Sequence, residues 1–398
     1  MKLLEFESKR LLKASGIATL PGILVSSETE IANAMETVGR QVVLKAQIPT
    51  GGRMKAGGVI FAAEIDDAVS KAAELLGKNI LGHTVNQLLV EKQVGISKEF
   101  YLAVTYDSVR KRAVIIASTE GGIEIEELAQ EDPGKVIRES VDISLPFSEY
   151  RGRELASALG LTGKDISSFA SISFKLYNLF LSYDATVAEI NPLVQTTAGE
   201  FVAADAHIEI DDDALYRHRE LWEQFGIEPK ESHVHPPTAF ELQAAQIDKR
   251  DHRGVAGRVV EFDGNLGLLI GGGGASLTVF DSVLDHGGRP ANYCEIGGNP
   301  SVRKICELTK LILSKPGVSK IAIIMNVVNN TRVDLIARGV IKGIVESGKL
   351  PSQTIAVFRI PGAWEEEGFK ILRRYGVEYS DRTVSIDEAA RRAVAKSE

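Results

Sequence analysis

Leu266-Gly267-Leu268-Leu269-Ile270-Gly271-Gly272-Gly273-Gly274-Ala275-Ser276 is the stretch that decides the fold of the second half of this 398-residue chain. A short apolar run ends in four consecutive glycines and opens onto Leu277, Phe280, Val283 and Leu284 at helical spacing. It reads as a buried strand feeding a helix. Glycines let a backbone approach a ligand closely, and the free N–H groups of a helix's first turn point at an anion placed there. A tight strand-to-helix turn without a ligand accounts for the same glycines, and locally both readings stay open. Outward from this loop the rhythm is strand, helix, strand, helix. Ala291 to Glu295, Lys320 to Met325 and Thr354 to Phe358 read as strands. Val302 to Leu313, Val333 to Glu346 and Glu365 to Tyr375 read as helices. Such alternation predicts a doubly wound parallel sheet of flavodoxin-like type, whose ligands sit at the carboxyl ends of strands. A second polar strand-to-helix loop, Asn329-Asn330-Thr331, falls at such an end.

The first half is also α/β. Val42 to Lys45 and Val59 to Ala63 read as strands around a loop rich in glycine and lysine, Ile48 to Gly58. A helix over Asp66 to Leu76 follows, with Asp66 and Asp67 suiting its first turn. Gln87 to Glu91, Phe100 to Tyr106 and Ala113 to Ser118 read as strands. Arg153 to Leu159 and Ile166 to Phe180 read as helices. The strand Thr186 to Ile190 pairs with Val202 to Ala206 across the turn at Thr197 to Gly199. Ser232-His233-Val234-His235-Pro236-Pro237 cannot continue a helix, so a boundary is expected there, dividing residues 1–238 from 239–398.

Composition excludes several function classes. Lys and Arg number 46 against 54 Asp and Glu, a net charge of −8, and no basic run with interleaved aromatics suggests nucleic acid. Charges at Lys2, Glu5, Glu7, Lys9 and Arg10 leave no secretory apolar region, and no run is long enough to span a membrane. The two cysteines, Cys294 and Cys306, suit a reducing compartment. A cytoplasmic protein is expected.

Two constellations carry chemistry in the first half. Lys45 with Gly51 to Gly58, which includes Arg53 and Lys55, is the way a fold neutralises nucleotide phosphates, although the spacing is not that of a P-loop. A plain hairpin with a basic tip is equally compatible. Glu189-Ile190-Asn191-Pro192 and Asp205 place oxygen donors at two strand ends, as Mg²⁺ on nucleotide phosphates requires. Alternatively, Asn-Pro merely ends a strand.

Lys45 with Gly51 to Gly58, Ser118-Thr119-Glu120-Gly121-Gly122 with Glu124-Ile125-Glu126, Gly152-Arg153-Glu154-Leu155-Ala156 and Glu189-Ile190-Asn191-Pro192-Leu193-Val194 together resemble the β-subunit of succinyl-CoA synthetases. The resemblance covers essentially the whole chain. It implies an ATP-grasp domain followed by a flavodoxin-like CoA-ligase domain. It also implies ATP contacts from Lys45, Gly52, Arg53, Glu91 and Glu99, with Val94 in the adenine hinge, and Mg²⁺ ligands Asn191 and Asp205. Glu189 would orient a phosphohistidine carried by a second subunit.

At the substrate loops the chain departs from the succinate pattern toward its relative ATP-citrate lyase. Gly272, Gly273, Gly274, Ala275 and Ser276 match a Gly-Gly-Gly-Ala-Ser loop of that branch. Asn329 and Thr331 fall on the Asn and Thr of its citrate-contacting segment. Asn292-Tyr293, Glu295, Gly298 and Pro300-Ser301 are similar as well. Citrate has three carboxylates and a hydroxyl, and Ser276, Asn329, Asn330 and Thr331 supply donors for them. Arg359, or Arg332, is a candidate counter-charge. A polar helix cap also accounts for the Asn-Asn-Thr loop.

None of His83, His207, His218, His233, His235, His252 and His286 stands in the context of a phosphorylated nucleophile, and no CoA fingerprint is present. A partner is therefore expected to supply CoA binding and the phosphohistidine, alone or fused to a citryl-CoA-cleaving domain. The leading expectation is the ATP-grasp subunit of an ATP-dependent citrate–CoA ligase, either citryl-CoA synthetase or two-subunit ATP-citrate lyase. The alternatives are a succinate–CoA or malate–CoA ligase β-subunit and a nucleotide-binding regulatory subunit without turnover.

Overall fold

The computed structural model of the chain describes residues 1–123, 125–142, 144–228 and 237–397. Glu124 and the break at 232–236, with His233 and His235, lie outside the described residues. The backbone divides into two compact units, Met1–Val234 and His235–Glu398.

Besides a two-stranded ladder of Asn79–Ile80 with His83–Thr84, the first unit holds two larger antiparallel sheets. The smaller of these two runs Gly22–Val25, Leu88–Lys92, Val42–Ala46, Val59–Ala62 in spatial order. Successive strand residues point to opposite faces. Val42, Leu44, Ala46, Leu88 and Val90 pack beneath the helices Ile31–Val38 and Ile65–Leu75. Val43, Lys45 and Glu91 therefore project from the other face. The larger sheet runs Phe201–Ala203, Ala185–Thr196, Ile96–Asp107, Arg112–Ser118, Val136–Val141, with Ala206–Ile210 also pairing with Ala185–Thr196. Phe100, Phe169 and Phe201 form the aromatic centre of its core, with ring centroids 5.6 to 6.1 Å apart. Ala188 and Ile190 enter that core, so Glu189 emerges on the opposite side.

One expectation is corrected here. The strand carrying Glu189 does not end at Asn191-Pro192 but continues to Thr196. A register shift between Ile190 and Leu193 places Pro192, which follows a cis peptide, where the ladder needs no N–H from it. Asp205 lies in the short break between Phe201–Ala203 and Ala206–Ile210. Its carbonyl accepts the Asn191 N–H at 3.2 Å, and that pairing brings the two residues together.

The second unit is a five-stranded sheet in the order Val255–Glu261, Asn292–Gly297, Leu266–Gly271, Lys320–Met325, Ile355–Arg359. Four strands are parallel, and the edge strand Val255–Glu261 is antiparallel to its neighbour. Helices Val302–Ser314, Val333–Glu346 and Glu365–Arg374 cover one face. Gly274–Asp285 and Ile386–Ala395 cover the other. The first parallel strand in sequence, Leu266–Gly271, lies between the second and the third, so the strand order reverses beside it. Doubly wound folds open their ligand crevice at that switch point.

Candidate functional site

A cleft of about 500 Å³ in the first unit is lined by Lys45, Gly52, Arg53, Glu91, Val94, Glu99, Glu189, Asn191 and Asp205. Every residue expected to serve nucleotide or metal in that half borders this one space. Val43, Phe61, Ile96 and Pro192 give it apolar wall, and its volume is that of a small-molecule site.

The cations are not held in solvent. Lys45 Nζ lies 2.8 Å from Glu5 Oε1, 2.7 Å from Glu91 Oε2 and 2.5 Å from the Ala204 carbonyl. Lys9 Nζ repeats the pattern behind it, 2.7 Å from Glu5 Oε1, 2.5 Å from Glu91 Oε1 and 2.7 Å from the same carbonyl. Arg53 Nη1 faces Glu5 Oε2 at 2.8 Å, and its Nη2 lies 2.7 Å from both oxygens of Asp205. Burial alone would raise the Glu5 carboxyl, but Lys45, Lys9 and Arg53 overcome it and hold the group well below the usual carboxylate range. Burial likewise pulls the Lys45 ammonium down, and Glu5, Glu91 and Asp205 push it above the ordinary lysine range.

The metal candidates are engaged as well. Asn191 Oδ1 accepts the Gly122 N–H at 2.7 Å, and its Nδ2 donates to the Ile123 carbonyl at 3.0 Å. Asp205, the one partly exposed carboxylate of the cluster, has both oxygens 2.7 Å from Arg53 Nη2. Glu189 accepts the Tyr101 hydroxyl at 2.9 Å, and burial raises its carboxyl above the ordinary value.

In the second unit both expected loops leave carboxyl ends beside the switch point. Gly272 (φ 110°) and Gly273 (φ 64°) occupy the left-handed region. A Cβ on Gly272 would come within 2.9 Å of Asn326 Cβ, so the two loops touch where a side chain has no room. The Gly273 N–H, at the start of Gly274–Asp285, donates to Glu295 Oε1 at 2.9 Å, so a carboxylate of the chain itself already sits at the anion-favouring end of this helix. Ser276 is buried, with its hydroxyl 2.6 Å from both the Gly273 carbonyl and the Tyr293 hydroxyl. It is a structural tie rather than an open donor.

Asn329 and Asn330 are exposed, and Thr331 is buried with its hydroxyl 3.4 Å from the Asn299 N–H. None of the three caps the following helix. Its N-cap is Arg332, without a side-chain cap bond, and the Val333 N–H goes to the Ala363 carbonyl. Arg332 is committed to Asp334 at 2.9 Å and stacks 4.0 Å over the Trp364 ring, which removes it as a free counter-charge. Arg359 is 5% exposed and donates to the carbonyls of Met325 (2.5 Å) and Val384 (2.9 Å). Among the described residues no carboxylate lies within ion-pair distance, and Asp381 opposes from further off the effect of burial on this guanidinium.

Sequence reading gave no role to Glu5, Lys9 and Tyr101, and it named Glu295 only for its similarity to the citrate branch. Glu5 and Lys9 look like an ordinary i,i+4 surface pair at the start of a helix, and nothing local says that both are buried. Glu295 carried a signal, because its alternation with the buried Cys294 and Ile296 aims it at a strand face.

Residues 2–195 match the family model described as the ATP-grasp domain, and residues 238–386 match that described as ATP citrate lyase citrate-binding. The succinate–CoA ligase [ADP-forming] subunit beta of Rubrobacter xylanophilus is 37% identical over 99% of this chain and 98% of its own. That of Desulfurococcus amylolyticus is 36% identical over 95% and 94%. Among solved structures, ATP citrate lyase from Methanothrix soehngenii, in complex with citrate and coenzyme A, superposes with a TM-score of 0.73 at 22% identity, covering 99% of both chains. The Methanosaeta concilii ATP citrate lyase D541A mutant in complex with (3S)-citryl-CoA gives 0.71 at 20% identity, covering 97% of both. At these identities the structures speak for the fold.

Proposed function

The chain belongs to the succinate–CoA ligase (ADP-forming) β-subunit family, and from that premise we propose that it is the ATP-using subunit of an ATP-dependent citrate–CoA ligase. The coarser activity, ADP-forming acid–CoA ligation, is that of the family. The choice of citrate rests on one observation above others: Asn329 and Asn330 stand exposed at the switch point, and none of the Asn329-Asn330-Thr331 side chains caps the helix that follows. The match of residues 238–386 to a citrate-binding model supports the same reading. Arg359, with no carboxylate within ion-pair distance among the described residues, is suited to one.

In this reading the phosphates of ATP face Lys45 and Arg53. The donor set fits Mg²⁺, because Asn191 and Asp205 offer hard oxygens that the backbone bonds to each other, and Asp205 is the carboxylate exposed enough to take a cation. A bound Mg²⁺ would be held by Asn191 and Asp205 and would offset negative charge on the phosphates. A cation taken by Asp205 would weaken its pairing with Arg53 Nη2 and leave that nitrogen freer for a phosphate. Glu189, buried and held by Tyr101, orients the imidazole of a partner histidine that accepts the phosphoryl group. A carboxylate is too poor an electrophile for a thiol, so the phosphoryl group passes on to a citrate carboxylate. The CoA thiol then attacks that carbonyl, and phosphate leaves. Asn329, Thr331 and Arg359 hold the remaining carboxylates.

The second reading, succinate as substrate, is favoured by the names of the relatives that cover nearly the whole chain. Calorimetry of the chain assembled with its second subunit, titrated with citrate, succinate and malate, separates the two. Citrate is expected to bind most tightly, and tighter succinate binding overturns the proposal.

A further inference from the structure

We infer that Glu5 is a positioning residue for the nucleotide site, a buried anion that fixes Lys45 and Arg53 at the cleft wall by balancing them together with Lys9. The inference rests on the nucleotide reading of the cleft. Glu5 opens the helix Glu5–Ala14 and is 3% exposed. Its Oε1 takes two ammonium groups, Lys9 at 2.7 Å and Lys45 at 2.8 Å, while Oε2 faces Arg53 at 2.8 Å. Lys45, Arg53 and Glu5 border the cleft, whereas Lys9 stands behind it. Glu5 therefore sits where the two phosphate-facing cations meet the one cation that faces no ligand.

The groups around Lys45 are Glu5 and Lys9 on the N-terminal helix, Glu91 on the neighbouring strand, Arg53 on the glycine loop, and Asp205 with the Ala204 carbonyl. Lys9, Lys45 and Arg53 match Glu5, Glu91 and Asp205 charge for charge. With Glu5 neutral, Lys9 and Lys45 are left with one carboxylate, Glu91, whose two oxygens each already hold one of them. Two buried ammonium groups against one carboxylate leave one lysine's charge orphaned, and burial favours its loss as a proton. That proton gives the lysine its hold on a phosphate. Glu5 thus acts through Lys45 without touching a ligand.

The test compares the full-length wild type with Glu5→Gln, Glu5→Asp and the double variant Glu5→Gln/Lys9→Met. MgADP affinity is measured by calorimetry from pH 7.5 to 9.5. The wild-type affinity is expected to stay flat. That of Glu5→Gln falls by about tenfold per pH unit above the pKa of the orphaned lysine. Glu5→Asp, which keeps the charge on a shorter arm, stays flat with weaker binding. The double variant regains the flat profile, because removing one cation restores the balance, a rescue that a merely structural role for Glu5 does not predict.

A second measurement needs no nucleotide. The orphaned lysine titrates below the unfolded value of about 10.4, so the unfolded chain binds more protons across that window and stability rises with pH. The thermal deficit of Glu5→Gln against wild type should therefore shrink from pH 7.5 to 9.5, and it should not do so in the double variant. A pH-flat Glu5→Gln, or a pH slope that survives Lys9→Met, overturns the inference. Failure of the wild type to bind MgADP overturns the nucleotide reading, and the stability measurement then decides the pairing alone.

Discussion

Replacing Asn329 by Gly and Thr331 by Val removes the two side-chain donors on which the citrate proposal depends, and the structure sets the size of the effect. Asn329 is exposed and makes no hydrogen bond among the described residues, so its loss should change stability by no more than about 0.5 kcal/mol. Thr331 is buried, but its hydroxyl makes two long contacts, accepting the Asn299 N–H and donating to Asn330 Oδ1, each at 3.4 Å, and valine keeps its volume. Removing them costs about 1–2 kcal/mol. A hydrogen bond to an ionised carboxylate contributes about 1.5–3 kcal/mol. Even at the lower end, two of them amount to about 3 kcal/mol, or more than a hundredfold in kcat/KM for citrate. The assay is kcat/KM with citrate and with succinate in the assembled enzyme, with MgATP affinity and the melting temperature as controls. Citrate use should collapse while MgATP binding is retained, since Lys45 and Asp205 belong to the other unit. A fall of less than about threefold in citrate kcat/KM, roughly 0.7 kcal/mol, would refute the reasoning. A lost helix cap cannot be invoked for a large effect, because Arg332 is the N-cap and none of the three loop side chains bonds the helix start.

Asp205→Asn removes a charged cation ligand without changing volume, so phosphorylation of the partner histidine by labelled ATP should disappear while the two subunits still co-elute. Near-normal phosphoenzyme would show that Asp205 serves only to anchor Arg53. Burial pushes the Cys294 thiol up to about 12 and the Cys306 thiol up to about 11, so at pH 8 both remain protonated. The native chain should therefore resist iodoacetamide, and rapid alkylation of either residue, read by mass spectrometry, contradicts the burial of that thiol.

What the sequence displays and what it hides follow from how far apart the interacting residues lie. Alternating Val42, Leu44 and Ala46 against Lys45 is a local pattern, and so is the run from Leu266 through four glycines; both elements stand where their spacing predicts. The helix Ile386–Ala395 was not anticipated because its buried face is made chiefly of Ala389, Ala390 and Ala393, side chains too small to register as an apolar stripe. The antiparallel edge strand Val255–Glu261 interrupts an alternation that otherwise implied parallel neighbours throughout. Pro192 misled in the other direction. Proline usually ends a ladder, but here it falls at a register shift that makes no demand on its missing N–H.

The same distinction governs the two candidate sites. Phosphate chemistry leaves lysines and glycines in one short loop, so Lys45, Gly52 and Arg53 could be named from sequence. Their setting could not, because Glu5, Glu91 and Asp205 come from three distant segments and acquire meaning only when the fold buries them against one another. A charge cluster of this kind is stable only when its charges balance. It follows that the nucleotide cleft should tolerate paired changes that keep the balance better than single changes that break it. The carboxylate loops differ in this respect. Asn329 contributes to no buried network, so selection for the acid can act on it with little consequence for folding. Asn329, expected to help choose the substrate, is thus a residue the scaffold constrains little, and a chain with the fold of its succinate-named relatives can carry a different acid at the switch point.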